Sequence, residues 1–481
     1  MRTLLTEIRF SFRQLRKSPG FSLTVVLTLA LGIGAITAMF SLVDGVLLRP
    51  LPFWDSDRLV LLGDHIGSGP NTPVTAREIG TYSSATTAFS SMGGYIGAWY
   101  EVTGGAVPEV VRAARLTAGV FPTLRINPLL GRVFTQQEED ARQPLAVISY
   151  PLWLNHYHRD PNVLGGTIVL DRKTYTIIGV MPRGFEFPLQ PGRLDQAQLW
   201  VPMSFSAAEL SDDSAAFWGY HMVARLKDGV SFSQAAQDAD RVAKQIMRNF
   251  PARMSALHIQ GDVRPLRDFA VGEVRPLLRT LLSAVSIVLL IACGNVAGLL
   301  LVRAIRQRRE YAVRLALGAP SGVIIRESVL QGLLLSLIGG LLGFAFAAVL
   351  IRTTLHLLPE SMPRVDSITI DSTVAAFALL VAIFTGGLCS LAPAFAALRT
   401  NLIESLKEGA RTAGGASHAW LRSALVVSEI AIAMVLLTAA GAFLRSFQKM
   451  LAVDPGFRPE HVLVASFRLP LNQYPTETSA D

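Results

Sequence analysis

Five long apolar runs constrain this chain more than any other feature. They lie at about 21–43, 280–302, 328–351, 372–398 and 423–444. Four carry no formal charge, and the fifth carries only Glu429. About 20 apolar residues cross the ~30 Å hydrocarbon core of a bilayer as a helix. A soluble helix of that length would show a polar face, and these show none. The expected fold class is therefore a membrane α-helical protein with five transmembrane helices. Between the first and second runs lies a long polar segment with strand-like patterning, which calls for a large α/β domain outside the bilayer.

Charge placement orients the chain. The formal net charge is +8. A basic balance is compatible with nucleic-acid binding, but the positions of the cations argue against it, and no nucleic-acid partner is expected. Arg2, Arg9, Arg13, Arg16 and Lys17 precede the first run. Arg303, Arg306, Arg308, Arg309, Arg314 and Arg326 lie between the second and third, and Arg399, Lys407, Arg411 and Arg422 follow the fourth. Only Arg352 and Arg364 lie between the third and fourth. This alternation is the positive-inside pattern. It predicts a cytoplasmic N-terminus and an extracytoplasmic domain over 49–277. The first run is too long for a signal-peptide core and has no convincing cleavage site after it. The two cysteines, Cys293 and Cys389, both fall inside apolar runs, so the external domain has no disulfide of its own.

Local patterns fill in the plan. Leu4, Ile8, Phe12 and Leu15 share one helical face, with Arg9, Arg13 and Arg16 on another, as in a helix lying on the inner leaflet. Thr167–Leu170 and Tyr175–Val180 read as a strand pair joined by Asp171-Arg172-Lys173. Residues 233–249 have helical spacing at Ala236, Ala239, Val242 and Ile246. The domain is expected to form two lobes. The stretch Asp268–Leu282 is expected to run into the second span as a continuous stalk, with Pro276 its only strong breaker. Gly339 and Gly343 make a small-xxx-small face for close helix packing in the third span. Gly386, Gly387 and Pro393 permit a bend in the fourth. The segment after the first run, Arg49–Leu62, is weakly repeated after the fifth at Ala452–Ala465, as if a second unit began there.

Catalytic motifs are missing. A phosphate-binding P-loop needs a Gly-Lys pair, and the chain has none. H-E-x-x-H and G-x-S-x-G are also absent. His156 and His158 lack a further ligand nearby in sequence and read better as a surface loop than as a metal site. No cofactor and no enzymatic activity are expected. Glu429, about two turns into the fifth run, has two readings: a buried functional carboxylate, or an interfacial group near Arg422 and lipid head groups. The second is favoured because charge costs less near a span end. The loop 303–327 also has two readings. Glu310 and Arg314 form an i,i+4 pair and Gly318-Ala319-Pro320 ends a helix; on the residues alone, a solvated positive-inside loop competes with a docking helix.

At this loop the sequence resembles a known family. IACGNVAGLLLVRAIRQRREYAVRLALGA is similar to the second span and following cytoplasmic helix of MacB/FtsX-type ABC permeases. RESVLQGLLLSLIGGLLG and LAPAFAALRTNLIESLKEGAR resemble parts of their third and fourth spans. FPTLRINPLLGRVFTQQEED and GGTIVLDRKTYTIIGVMPRGFEFP resemble the MacB-like periplasmic core domain, and RQLRKSPGFSLTVVLTLALGIGA the start of a tandem-duplicated subgroup. The resemblance reaches nearly the whole chain. It implies a permease that lacks its own ATPase and couples to one through the helix between spans two and three. Arg308, Glu310, Arg314, Leu317, Gly318 and Ala319 fall in that coupling segment. The implied mechanism is mechanotransmission, with export of a lipophilic compound, peptide or lipoprotein. An interaction protein that controls an external partner such as a cell-wall hydrolase is the alternative, and a membrane-tethered enzyme ranks below both.

The expected order is an amphipathic cytoplasmic helix over 1–20, spans over 21–48, 278–303, 324–352, 372–398 and 422–447, the core domain over 49–277, and a coupling segment over 304–323. A short external loop over 353–371, a cytoplasmic linker over 399–421 and the start of a second external domain over 448–481 complete it. Residues 448–481 are expected to carry at most a strand near Val462–Phe467. Implied partners are a separate ABC ATPase subunit, membrane lipid, a periplasmic adaptor or hydrolase, and a second permease half or a homodimer mate. The location is the cytoplasmic (inner) membrane.

Overall fold

The computed structural model describes residues 11–66, 71–103, 109–190, 193–194, 197–251, 257–272, 274–307, 313, 317, 320–357, 370–398 and 416–453. The chain divides into two compact units, one of which includes Met1–Leu48 and Pro276–Val464 and the other Arg49–Arg275.

The first unit holds five helices long and apolar enough to cross a membrane. Span one is Pro19–Val43, with Pro19 at its first turn, where a missing N–H costs nothing. It continues through a π-helical turn, Asp44–Leu48. Span two is Arg275–Arg306, span three Ser321–Leu357, span four Ser372–Leu398 and span five Ala416–Leu451. At 37 residues, span three is about 55 Å long, well over the hydrocarbon thickness. Spans one to four share one apolar core, in which Leu29 and Ile33 meet Val296, Leu335 and Ala382. Phe40 of span one stacks on Phe377 of span four with ring centres 3.8 Å apart. Cys293 and Cys389 are free thiols buried side by side, the Sγ of Cys389 3.4 Å from the carbonyl of Cys293.

The second unit is built on strands β1 (Leu59–Ile66), β2 (Asn71–Thr72), β3 (Phe89–Thr103), β4 (Glu109–Leu116), β5 (Leu130–Gly131), β6 (Leu145–Ile148), β7 (Thr167–Leu170), β8 (Lys173–Val180), β9 (Leu189–Gln190), β10 (Arg193–Leu194), β11 (Leu199–Pro202), β12 (His221–Leu226) and β13 (Ile259–Pro265). Eleven of them form one sheet whose main path runs β13-β1-β12-β3-β4-β11-β6-β8-β5. Most pairs are antiparallel, but β11 runs parallel to β4, and β6 to β8. Two separate cores lie along this sheet. One packs β1 and β12 against the helices Ala76–Ala85 and Phe232–Arg248 through Val60, Ile79, Val242 and Ile246. The other gathers Val111, Ala146, Leu170, Ile177 and Leu199. The α/β fold and its two lobes thus follow the sequence expectation.

Local elements show how the sequence specifies this domain. The expected strand pair is a hairpin, β7–β8, in register Leu170↔Lys173. Its turn places Asp171 and Arg172 at φ 46° and 64°, the left-handed conformation a two-residue hairpin requires. The expected helix runs Phe232–Arg248, and Ser231 and Gln234 close a capping box at its start. Its buried stripe is Ala235, Ala239, Val242, Ala243 and Ile246, so Ala235 rather than Ala236 faces the core. The continuous stalk expected over 268–282 is not what forms. A short helix, Leu266–Val271, ends at Gly272, and span two starts afresh at Arg275 with Pro276 in its first turn.

Candidate functional site

The membrane unit is organised by small residues. A Cβ on Gly343 would lie 2.7 Å from the carbonyl oxygen of Ala30 and 2.9 Å from the nitrogen of Gly34. A Cβ on Gly339 would lie 2.9 Å from the Cβ of Leu29. Spans one and three therefore touch backbone to backbone, with Gly34 and Gly343 facing each other. The other side of span three meets span four in the same way. A Cβ on Gly340 would meet Ala382 at 2.7 Å, and one on Gly386 would meet the Ser336 hydroxyl at 2.2 Å. The sequence pointed to Gly339 and Gly343. Gly34 escaped notice because it lies in a run with no small-xxx-small spacing, so the sequence held no signal for it.

Of the coupling segment, only Val313 and Leu317 lie among the described residues. The Leu317 amide donates to the Val313 carbonyl at 3.0 Å, one helical turn, and its side chain is 83% exposed. Arg308, Glu310, Arg314, Gly318 and Ala319 lie outside the described residues, as does the repeat of Ala452–Ala465 beyond Val453 and the strand expected near Val462–Phe467. Glu429 sits on span five with its Oε1 against Gly294 of span two; a Cβ there would be 2.3 Å from that oxygen. Gly294 is nine residues from Arg303, about 13 Å along the helix. The carboxylate therefore lies well inside the apolar run. Glu327 and Gln331, buried at the start of span three, had no signal in the sequence; Gln331 Nε2 donates to Gln14 Oε1 at 2.7 Å.

The extracytoplasmic domain holds two sets of buried carboxyl groups. Asp64 on β1 accepts from the Tyr82 hydroxyl at 2.8 Å, and Glu78 accepts from the Thr75 amide at 2.5 Å. Burial pushes both acids above the ordinary carboxylate range, and the charge of Glu78 adds to this at Asp64. The two are best described as sharing a proton. Glu139 ends the short helix Gln136–Asp140 and is 5% exposed. Its Oε2 accepts from the Ala118 amide at 2.7 Å, yet burial raises its pKa to about 7. It lines a cleft of about 520 Å³ together with Met92, Thr117, Arg142, Ser204 and Phe205. Among the described residues, no group of three or more His, Cys, Asp or Glu side chains could hold a metal. His158 sits at φ 49° just past the helix Tyr150–Asn155.

Comparison with known proteins fits these two units. Residues 22–242 match the model of the MacB-like periplasmic core domain, and residues 282–402 that of the FtsX-like permease C-terminal region. The macrolide export ATP-binding/permease protein MacB of Salmonella paratyphi A is 23% identical over 313 residues, 63% of this chain and 44% of that protein. MacB of Neisseria gonorrhoeae is 21% identical over 246 residues, 51% of this chain and 36% of that protein. The chain thus spans under half the length of the curated relatives it matches. Among solved structures, the periplasmic region of MacB from Actinobacillus actinomycetemcomitans aligns with TM-score 0.33 and 12% identity, over 48% of this chain and 95% of that one. The extracellular domain of the ABC-type transporter YknZ from Gram-positive bacteria aligns with TM-score 0.32 and 12% identity, over 43% and 99%. With a MacB-like core domain followed by an FtsX-like permease region and five membrane-type helices, the chain belongs to the MacB/FtsX-type ABC permeases.

Proposed function

We propose that this chain is a permease subunit that couples ATP hydrolysis on a separate ATPase to movement of its extracytoplasmic domain, and so drives extrusion of a lipophilic compound, peptide or lipoprotein. The observation that carries this reading is the backbone-to-backbone contact of spans one and three at Gly34 and Gly343. Helices locked that closely move together, so a displacement of the segment before span three reaches span one, which leads into the core domain. Two further points support it. The sequence has no Gly-Lys pair for a P-loop, and the relatives named for macrolide export are described as both ATP-binding and permease, whereas this chain matches less than half their length. Substrate export without passage through the bundle fits spans that carry almost no charge.

The chain is placed in the cytoplasmic membrane, N-terminus inside, with the ATPase docking on the segment around Glu310 and Arg314. A cysteine introduced at Ser68 should react with a membrane-impermeant thiol reagent in whole cells, and one at Ser321 should not; the opposite pattern would refute the orientation. The purified chain should not hydrolyse ATP. Reconstituted in nanodiscs with its ATPase, wild type should alter the ATPase rate, and Glu310→Lys with Arg314→Glu should abolish that effect while leaving the permease folded. ATP hydrolysis by the chain alone, or unchanged coupling in the charge-reversed variant, would sink the proposal.

A further inference from the structure

Residues 11–16 are helical and end just before Ser18 and span one. At the same end of the membrane unit, span two finishes on Arg303 and Arg306. A cavity of about 860 Å³ lies between them, with Arg13, Lys17, Arg303 and Arg306 around it and Phe21 and Leu299 among its apolar walls. Arg303 is fixed in place. It donates to the Ser18 hydroxyl at 3.0 Å and to the Gln14 carbonyl at 3.2 Å, and its guanidinium lies 4.8 Å from the centre of the Phe21 ring. Arg13, Lys17 and Arg306 are exposed and form no ion pair among the described residues. No Asp or Glu is among the described residues that line the cavity.

Four cations converging on one cavity repel one another, and a shared anion removes that repulsion. The position of the cavity narrows the choice of anion. The first apolar run begins four residues after Lys17, and the second ends at Val302, directly before Arg303. The cavity therefore straddles the level at which hydrocarbon gives way to head groups, with a charged rim and an apolar wall. A soluble phosphate would use only the rim. A phospholipid uses both, and basic pockets between spans are the usual seats of anionic head groups.

We propose that this cavity binds the phosphate head group of an anionic phospholipid such as phosphatidylglycerol, with its glycerol and first acyl carbons against Phe21 and Leu299. The lipid then ties the helical turn at 11–16 to the end of span two. The inference needs the spans to lie in a bilayer but not ATP coupling, so the two readings fail separately.

The test uses the full chain in detergent micelles, doped with phosphatidylglycerol or with phosphatidylcholine at equal mole fraction. Phosphatidylglycerol should raise the thermal unfolding midpoint and remain bound in native mass spectra. The variant Arg13→Gln/Lys17→Gln/Arg306→Gln should unfold like wild type in phosphatidylcholine and bind phosphatidylglycerol at least tenfold more weakly. Inorganic phosphate at the same concentration should give no shift. Should the triple variant fail to fold, Arg306→Gln alone is expected to weaken binding about threefold. Equal stabilisation by phosphatidylcholine, an unaltered response in the variants, or full replacement by inorganic phosphate would each overturn the proposal. Indifference of the purified chain to lipid charge, as expected if the cavity instead receives an acidic segment of a partner protein, would do so too.

Discussion

Gly343→Ala adds one methyl group where spans one and three meet. Its Cβ would stand 2.7 Å from the Ala30 carbonyl oxygen, against the 3.4 Å at which ordinary contact begins. The helices must separate by about 0.7 Å, and both listening partners, Ala30 O and Gly34 N, are backbone atoms that cannot rotate away. Overpacking of this kind costs about 1–3 kcal/mol, and further contact is lost because the same separation loosens Gly339 against Leu29. The control is Gly387→Ala in span four, where nothing lies within 4 Å of the new Cβ. There the change should be neutral or slightly stabilising, since alanine favours a helix over glycine by up to about 1 kcal/mol. Equilibrium unfolding in mixed micelles with increasing SDS, followed by tryptophan fluorescence, would measure both. Wild type and G387A should unfold together, and G343A at distinctly lower SDS. Gly34→Ala combined with Gly343→Ala should be non-additive, because once the helices have parted the second methyl meets less resistance. If G343A unfolds with G387A, the contact between spans one and three is not a tight one, and the mechanical link proposed through it fails.

Two further outcomes concern the core domain. The folded carboxyl of Glu139 titrates at about 7 and a free one near 4.5; the folded state therefore holds its proton more tightly, and its stabilising effect is complete below pH 4.5 and lost as pH rises through 7. Glu139→Gln should remove about 3 kcal/mol of that pH dependence from the full chain; parallel stability–pH curves for wild type and variant would refute the assignment. Arg225 is 1% exposed and donates to the carbonyls of Thr123, Asp55 and Trp54 at 2.9, 3.0 and 2.8 Å. Arg225→Met should leave those carbonyls without their donor and cost about 3–5 kcal/mol in denaturant unfolding; a loss under 1 kcal/mol would mean that solvent replaces the guanidinium.

The membrane helices were readable from the sequence because a bilayer leaves only one solution for an uncharged run of that length. The hairpin of Thr167–Val180 and the helix after Ser231 were readable for local reasons, a two-residue turn and a capping box. The single eleven-stranded sheet was not. Its parallel pairings, β4 with β11 and β6 with β8, join segments far apart in sequence, and periodicity within a strand carries no information about its neighbour. Buried Asp64 and Glu78 look like surface residues in sequence, since what buries them is the docking of distant β12 and the helix Phe232–Arg248. The basic cavity likewise joins the N-terminal cations to those ending span two, which the positive-inside pattern had explained separately. The stalk was misread because Gly272 gave too weak a signal against the helical propensity around it.

Strand β3 has a further consequence. Its first part pairs with β12 through Phe89–Tyr95 and its later part with β4 through Tyr95–Val102, on opposite edges. Tyr95 is the residue at which the two pairings overlap, and it is held between Phe187 and His221. In carpentry this is a scarf joint: two half-sheets share one plank and overlap at a single point along it. Tension along the plank loads the hydrogen bonds on both sides in shear, all at once, which is the direction in which a ladder resists most. Rotation about the plank meets only the torsions of a few residues beside Tyr95. We therefore expect the domain to be stiff when pulled along β3 and compliant when twisted about it, so that the two lobes turn relative to each other without either core opening.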